Sequence, residues 1–319
     1  MLLAEATALL AAVLVVSATT QVADSSYATS AATNLGPEKG VMRRDPSDIV
    51  KVKDLYYIWY SKGAYSHGYD ATVWYATSPD GHTWKEQGEA LARGPKGSWD
   101  EQSVFTPNIL AAEGKYWLFY TGVGKPFVRR GPKKTPAAIG VAVADSPDGP
   151  WKKVEANPIL QPSGDDKDFD GLRLDDACLI VRDGKYWLYY KGVQSYRTTP
   201  QQTKMGVAIA EQPQGPYVKH PSPVVSGGHE VLVWPYGQGV AALITTAGAS
   251  DVVNTLQYAE DGITFSKMAD LEKRPNGGGA FRPEAFTDSG QGKMIDWGVH
   301  IKTKKGSLPS LERFNYEWK

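Results

Sequence analysis

The sequence predicts an all-β protein built as a five-bladed β-propeller, on the evidence of its composition and an internal repeat. Its 319 residues include 10 Trp, 17 Tyr, 33 Gly and 21 Pro. Aromatic residues favour strands, whereas Gly and Pro favour the turns between strands. A turn followed by an aromatic strand occurs three times, at Asp54–Tyr60, Gly114–Tyr120 and Gly184–Tyr190. A second strand follows each copy, and the first two of these strands end in Ser-Pro-Asp-Gly.

The spacing of the repeat defines the expected blades. A four-stranded sheet of this size cannot bury both faces alone, and radial stacking of such sheets solves the problem. No convincing amphipathic helix separates the copies, so a parallel sheet with crossover helices is not predicted. Residues 43–319 therefore form one predicted domain, with blades at Asp45–Trp84, Ser103–Trp151, Leu174–Tyr217, Glu230–Phe265 and Gly279–Trp318.

The N-terminal region is predicted to lie outside this domain. Residues 1–18 combine an apolar run with the small residues Val16-Ser17-Ala18, which is typical of a secretory signal peptide. The positively charged start of such peptides is missing, and Glu5 stands there instead. The run is too short for a membrane span. We therefore expect a periplasmic or secreted protein without a membrane span, and a linker or N-terminal extension over residues 19–42.

Charge and cysteine content exclude several classes of function. Lys and Arg total 35, as do Asp and Glu, so the formal net charge is zero. A nucleic-acid partner is not expected, because such proteins usually carry a basic excess or a basic face. The single cysteine, Cys178, excludes an intrachain disulfide. It stands in an apolar run and is predicted to be a buried hydrophobic residue.

Acidic residues interrupt the first strands of the predicted blades. Counting back from the aromatic strands pairs Asp45 of blade one with Phe105 of blade two and Asp175 of blade three. The innermost strands of a propeller meet at one mouth, so these positions are expected to converge there. His229 and Glu230 open blade four at the same level.

Side-chain alternation limits which of these residues share the pocket. Successive residues of a strand face opposite sides, so at most one of Asp175 and Asp176 is expected in the pocket, and the register favours Asp175. The same alternation applies to His229 and Glu230. We also expect Asp48 and the acids between Asp165 and Asp170 to lie on the surface or in loops.

Two or three carboxylates and an imidazole at one mouth suit glycoside hydrolysis. One group protonates the leaving oxygen, a second activates water or attacks the anomeric carbon, and a third raises the pKa of the acid by charge repulsion. Abundant aromatic rings fit sugar binding. The basic run Arg129–Lys134 is predicted to be a solvated loop, with a clamp over an anionic sugar as the alternative. No cofactor is firmly implied, and a structural ion on the propeller axis stays open. The acidic run from Asp165 to Asp170 could suggest calcium but lacks the spacing of an EF-hand.

At these motifs the chain resembles glycoside hydrolase family 117. The resemblance is carried by Arg44-Asp45-Pro46-Ser47-Asp48, Ser103–Ile109, Asp175–Leu179, Lys185–Gly192, Thr203–Ala208 and Gly228–Pro235. It implies the five-bladed propeller shared with families 43 and 32. It also implies exo-acting hydrolysis, with inversion, that releases α-1,3-linked 3,6-anhydro-L-galactose, or a related galactose-type sugar, from the non-reducing end of agar-type oligosaccharides.

The resemblance also implies roles for individual residues. Asp45 would be the general base, and the Asp175–Asp176 pair would supply the second acid. His229 matches a histidine proposed as general acid in that family, with Glu230 beside it; which of the two is the acid stays open. Seven further residues are expected to bind the sugar: Thr106, Asn108, Arg173, Lys191, Trp234, Arg282 and His300. The family often forms a homodimer through an N-terminal helical segment, which residues 19–42 do not resemble.

Two alternatives to this function remain at this point. A non-catalytic carbohydrate-binding propeller would keep the aromatic residues but would tolerate loss of the acids, all of which are present. A family 43-like arabinanase or galactosidase would share both the fold and the acids. The substrate distinguishes these possibilities, and the core motifs do not specify it.

Overall fold

The computed structural model describes residues 25–245, 254–288 and 291–319. The predicted signal peptide, residues 1–18, lies outside this part of the chain. The strands are β1 Ser25–Ala31, β2 Met42–Arg44, β3 Val50–Val52, β4 Leu55–Gly63, β5 Thr72–Ser78, β6 Lys85–Leu91, β7 Ser103–Ala112, β8 Lys115–Val123, β9 Ala138–Ala144, β10 Lys152–Lys153, β11 Arg173–Arg182, β12 Lys185–Val193, β13 Lys204–Ala210, β14 Val218–Lys219, β15 Val225–Ser226, β16 Glu230–Tyr236, β17 Gly239–Thr245, β18 Thr255–Ala259, β19 Ser266–Asp270, β20 Gly279–Ala280, β21 Trp297–Lys302 and β22 Ser310–Trp318. Two short 3-10 helices span Pro200–Gln202 and Pro283–Phe286.

These strands form five antiparallel sheets, which confirms the five-bladed β-propeller. From the axis outward the first three blades are β2-β4-β5-β6, β7-β8-β9-β10 and β11-β12-β13-β14. The fourth blade is β16-β17-β18-β19, and the fifth is β20-β21-β22-β1. In the first blade, β3 continues the inner strand after β2 and also pairs with β4. In the described ranges, no helix has both the length and the apolar character needed to cross a membrane.

The fifth blade is completed by a strand from the N-terminal region. All seven residues of β1, Ser25 to Ala31, pair antiparallel with residues 312–318 of β22. The ring of Tyr27 stacks on Phe314 at 6.2 Å and meets Tyr316 edge-on at 5.0 Å. The sequence analysis assigned residues 19–42 to a linker, and the structure corrects this for residues 25–31. Alternating small and polar residues concealed the strand, because an outermost strand buries only part of one face.

A repeated polar contact stabilises the first three blades. In each, a buried tyrosine of the second strand donates its hydroxyl to a carboxylate, at 2.7–3.1 Å, and that carboxylate also accepts from a lysine. The three sets are Tyr60–Glu86–Lys62, Tyr120–Asp100–Lys153 and Tyr190–Asp170–Lys219. Buried polar groups must be hydrogen-bonded in this way to avoid a desolvation penalty. Asp170 lies in the loop between β10 and β11, within the prediction of a surface or loop position, but its side chain is buried and structural.

Candidate functional site

The inner strands of the first three blades each contain one residue with left-handed backbone. These are Asp45 at φ 51°, Thr106 at 44° and Asp176 at 55°. Few non-glycine residues adopt this region, and strain of roughly 1–3 kcal/mol per residue is typical of functional sites. The pairing of β7 with β8 shifts between Phe105 and Asn108, and that of β11 with β12 shifts between Asp175 and Cys178. Each bulge breaks side-chain alternation on the strand that lines the axis.

The bulges correct the register that the sequence predicted. Arg44, Phe105 and Asp175 pair with Ser61, Thr121 and Lys191, the equivalent residues of the second strands. The next residue in each inner strand is the left-handed one, so Asp45 corresponds to Thr106 and Asp176. The predicted match of Asp45 with Phe105 and Asp175 was one residue out. Between Arg44 and Val50, blade one has one residue more than the equivalent segments of blades two and three. The count back from the aromatic strand included this residue, so the predicted match was shifted by one.

The three left-handed residues line two adjoining cavities at the propeller axis. The axial cavity has about 530 Å³ of empty space and the rim cavity about 380 Å³, both counted with their openings to solvent, and Asp45, Thr106 and Asp176 line both. The axial cavity is otherwise lined by Pro46, Pro107, Asn108, Ala177, Cys178, Leu232, Pro275, Gly277 and Gly278. The rim cavity adds Arg44, His67, Tyr69, Phe105, Asp175, Lys191 and His229.

Asp45 stands in this pocket as a carboxylate held by its neighbour. The Nε of Arg44 donates to both carboxylate oxygens, at 2.8 and 3.0 Å. The Nη1 of Arg44 also donates to the carbonyl oxygen of Ser66 at 2.8 Å, which fixes the guanidinium in place. The Asp45 side chain is only 8% exposed. It is therefore held in a defined orientation where it lines both cavities.

Asp175 and Asp176 both face the pocket, and a single lysine contacts both. The Nζ of Lys191 lies 3.6 Å from Oδ2 of Asp175 and donates a hydrogen bond to Asp176. The prediction that at most one of the two carboxylates faces the pocket was wrong. It assumed regular alternation, which the left-handed backbone of Asp176 removes.

The two neighbouring carboxyl groups have opposite pKa shifts. Burial alone would raise the pKa of Asp175, but the charges of Arg173 and Lys191 outweigh it and hold that pKa below its usual value. Burial raises the pKa of Asp176 to about 6, with the Asp175 and Asp45 charges adding to the effect and Lys191 opposing it. Two acids whose pKa values are shifted apart in this way provide one permanent carboxylate and one group that carries a proton near pH 6.

His229 lies in the rim cavity beside Lys191. The charge of Lys191, followed by burial, lowers the pKa of His229 to about 3. The imidazole is therefore neutral at neutral pH, and its buried Nδ1 has no hydrogen-bond partner among the described residues. Glu230 is the first residue of β16, and its side chain lies outside the described part of the structure.

Four of the seven predicted sugar-binding residues lie at the pocket. Thr106, Asn108 and Lys191 line it directly. Arg173 lies behind Asp175, where its Nη1 donates to the Tyr69 hydroxyl at 2.9 Å. Thr106 and Thr121 share a hydrogen bond through their hydroxyl groups, so Thr106 is already engaged within the protein.

The other three predicted sugar-binding residues do not line the pocket. Trp234 is 1% exposed and belongs to the hydrophobic core. His300 packs edge-on against Tyr27 and accepts a hydrogen bond from the Asn276 backbone N–H at 3.2 Å. Arg282 is buried in an ion pair with Asp48.

The pair of Arg282 and Asp48 is a structural link at the axis. Asp48 lies in the segment between β2 and β3, within the prediction of a surface or loop position, but its side chain is fully buried. It accepts hydrogen bonds from Asn108 Nδ2 at 2.9 Å and from the Ala280 N–H at 3.0 Å, in addition to Arg282. The Sγ of Cys178 lies 3.3 Å from Arg282, and burial raises the pKa of this thiol to about 12. Cys178 is thus the buried, unreactive residue that the sequence predicted.

Three further residues lie at or near the rim, and two of them, His67 and Tyr69, were not predicted. His67 and Tyr69 line the rim cavity from the loop between β4 and β5, and the Tyr69 N–H donates to His67 Nδ1 at 3.0 Å. Lys134, from the predicted basic loop, is half-buried and electrostatically coupled to Arg173, Asp175 and Lys191. The acids that were predicted to converge at the mouth are therefore accompanied by the basic residues Arg173, Lys191 and Lys134. The aromatic run Tyr65-Ser66-His67-Gly68-Tyr69, directly after a strand, was the signal that could have indicated the loop.

Within the described ranges, no group of three or more His, Cys, Asp or Glu side chains is arranged to hold a metal ion.

Comparisons with known proteins agree with this architecture. The model of glycosyl hydrolases family 43 matches residues 39–177. No curated protein matches the chain. The endo-arabinase from Bacteroides thetaiotaomicron is 16% identical with a TM-score of 0.59, covering 86% of this chain and 95% of that one. Fructan 1-exohydrolase IIa from Cichorium intybus is 13% identical with a TM-score of 0.60, covering 87% of this chain and 56% of that one. These two share the fold.

A further solved structure is much more similar. It is Zg3597, a family 117 glycoside hydrolase produced by the marine bacterium Zobellia galactanivorans. It is 33% identical to this chain with a TM-score of 0.81, and the match covers 92% of this chain and 90% of that one. Identity at this level over nearly the whole propeller, with acids gathered at its axis, shows that the chain belongs to glycoside hydrolase family 117.

Proposed function

We propose that this enzyme removes 3,6-anhydro-L-galactose, or a related galactose-type sugar, from the non-reducing end of α-1,3-linked agar-type oligosaccharides, with inversion. Family membership supports the glycosidase chemistry, and the resemblance supports the sugar and linkage. The two adjoining cavities at the axis suit exo-action, because a chain end can enter them. The observation that carries the proposal is the pairing of Asp45 with Asp176 in one pocket.

The environments of these two residues favour different roles. Asp45 is a carboxylate held by two hydrogen bonds from Arg44, as a general base requires. The pKa of Asp176, raised to about 6, lets it carry a proton at mildly acidic pH, as a general acid requires. Asp45 would take a proton from water as that water attacks the anomeric carbon. Asp176 would give its proton to the glycosidic oxygen as the carbon–oxygen bond breaks.

His229 is assigned a different role from the one that the resemblance implied. An imidazole with a pKa of about 3 carries no acidic proton to give at neutral pH. Its unpartnered Nδ1 instead suits a hydrogen bond with a sugar hydroxyl. Lys191 donates to Asp176 and would stabilise the carboxylate that forms when the proton leaves.

The experiment is a product analysis on defined oligosaccharides. We expect release of the terminal anhydro sugar from α-1,3-linked agar-type oligosaccharides, with the inverted anomer seen first by NMR. Asp45→Asn serves as the inactive control. Internal cleavage products or a retained anomer would contradict the proposed mode of action. Preferred turnover of arabino-oligosaccharides would favour the family 43-like alternative, and binding without turnover would favour a carbohydrate-binding propeller.

A further inference from the structure

Three aromatic rings form a row that begins in the rim cavity and ends at the surface. We call Tyr69, His67 and Tyr65 the aromatic row. Tyr69 and His67 line the rim cavity, and their ring centroids are 5.8 Å apart. The ring of Tyr65 follows at 5.5 Å from His67, with an angle of only 13° between the two ring planes. Tyr65 lines neither cavity and is 61% exposed. The row therefore leads from the pocket to solvent.

The loop that carries the aromatic row is attached to the walls of the pocket. The Nη1 of Arg44 donates to the Ser66 carbonyl oxygen at 2.8 Å, and the same guanidinium holds the proposed general base. The Nε2 of Gln102 donates to the Tyr69 carbonyl oxygen at 2.8 Å, and Arg173 donates to the Tyr69 hydroxyl at 2.9 Å. These contacts hold the rings in place before a ligand arrives, which lowers the entropic cost of binding.

The spacing of the rings leaves part of each face uncovered. Carbon atoms in contact lie about 3.5–4.0 Å apart, so nearly parallel rings with centroids at 5.5 Å are displaced sideways. Among the described residues, His67 supplies the only aromatic ring that contacts Tyr65. A tyrosine that is fixed in this way and exposed offers a rigid surface with an apolar face and a polar hydroxyl. The C–H faces and hydroxyl groups of a sugar ring match such a surface.

We propose that Tyr65 binds a sugar unit of the oligosaccharide beyond the cleaved bond, on the leaving-group side. The inference rests on the proposed exo-action, in which the terminal sugar enters the pocket and the remaining units leave through its opening. The aromatic row gives the direction of exit, with the second unit beside Tyr69 and His67 and a later unit on the face of Tyr65. Because Tyr65 lies outside the pocket, its contact stabilises the bound substrate and the transition state equally.

The test compares agar-type oligosaccharides of increasing length. The initial rate of release of the terminal sugar is measured for the α-1,3-linked disaccharide, tetrasaccharide and hexasaccharide. For the two longer substrates, Tyr65→Ala should raise KM about fivefold with kcat unchanged, since only uniform binding is lost. For the disaccharide, which ends at the rim, KM should stay within about twofold of the wild-type value. Tyr65→Phe keeps the ring face and should retain a KM within about twofold for every length.

A binding measurement shows that the change in KM is a change in affinity. KM equals the dissociation constant only when chemistry is slow relative to substrate release. Isothermal titration calorimetry of the hexasaccharide is therefore performed on Asp45→Asn, with and without Tyr65→Ala. We expect the second substitution to raise the dissociation constant about fivefold. An unchanged dissociation constant would overturn the inference.

Tyr196→Ala is the matched control, because Tyr196 is an exposed tyrosine that lines neither cavity. It should leave KM unchanged for all three substrates. Equal effects of Tyr65→Ala on all lengths, or equal effects of Tyr65→Ala and Tyr196→Ala, would also overturn the inference. If the wild type releases sugar from none of the three substrates, the proposed function fails and this inference fails with it. If turnover occurs but Tyr65→Ala has no effect that depends on length, this inference alone fails.

Discussion

Replacing Asp176 with asparagine is the sharpest test of the proposed mechanism. Asn keeps the size and polarity of the side chain but cannot carry an acidic proton. It also tolerates the φ of 55° at this position, since Asn and Asp are enriched in the left-handed region. The substitution therefore removes the proposed proton donor with little change in the bulge. An alanine would confound the result with backbone strain.

The size of the expected effect follows from the pKa of Asp176. The pKa rises from 3.8 to about 6, so about half of the Asp176 side chains are protonated at pH 6. At an ordinary pKa the protonated fraction would be about 1% or less. The shift corresponds to roughly 3 kcal/mol in favour of the neutral acid. Because the folded-state pKa is raised, this contribution to stability is fully present below about pH 4 and is lost as the pH rises through about 6.

The assay is the pH dependence of kcat/KM. For the wild type we expect a tenfold fall per pH unit above about pH 6, as Asp176 loses its proton. Asp176→Asn should lower kcat by about 10²–10⁴ and remove this alkaline limb. On a dinitrophenyl glycoside of the same sugar, whose leaving group needs no proton, Asp176→Asn should retain most of its activity.

Two neighbouring substitutions distinguish the alternatives. Asp175→Asn removes a charge that raises the pKa of Asp176, so the alkaline limb should move to lower pH. His229→Gln should leave the position of the limb nearly unchanged, because His229 is neutral throughout that range. If the limb persists in Asp176→Asn and disappears in His229→Gln, the histidine is the acid and the reasoning from pKa values is refuted.

Three further predictions concern the pocket and the core around it. Asp45→Asn should lower kcat by about 10²–10⁴ in hydrolysis assays, with an unchanged melting temperature; near-normal kcat would exclude Asp45 as the base. Asp48→Ala leaves the buried Arg282 guanidinium without its carboxylate, so urea denaturation should show a loss of about 3–5 kcal/mol. Tyr27→Ala removes the ring that packs β1 on the fifth blade and should lower the free energy of unfolding by about 2–4 kcal/mol, whereas the exposed Tyr65→Ala should change it little.

The architecture was predictable because the repeat is local and strongly patterned. The aromatic second strands, such as Lys115–Val123, have the same length in three blades, and their turns are defined by short motifs. The contribution of Ser25–Ala31 was not predictable in the same way. Its partner is β22, nearly the whole chain away, and an outermost strand needs little hydrophobic patterning of its own.

The sequence predicted which residues form the site better than it predicted how their strands align. Asp45, Asp175 and His229 meet at one pocket, as expected for the starts of inner strands, and Asp176 joins them against expectation. Their relative orientation depends on bulges, and a bulge adds a residue without leaving a distinctive sequence signal. The role of Lys191 beside both acids depends on strand pairing and became visible only in the structure.

The three bulges also explain how a repeated fold acquires a unique centre. Each places a left-handed residue directly after the residue that pairs with Ser61, Thr121 or Lys191 of the second strand. In blade two, Thr106 and Thr121 form a neutral hydrogen bond. In blade three, an acid, Asp176, instead accepts a hydrogen bond from a cation, Lys191. Lys191 limits the rise in the pKa of Asp176 and lowers the pKa of His229, so one lysine helps to decide which group holds the proton.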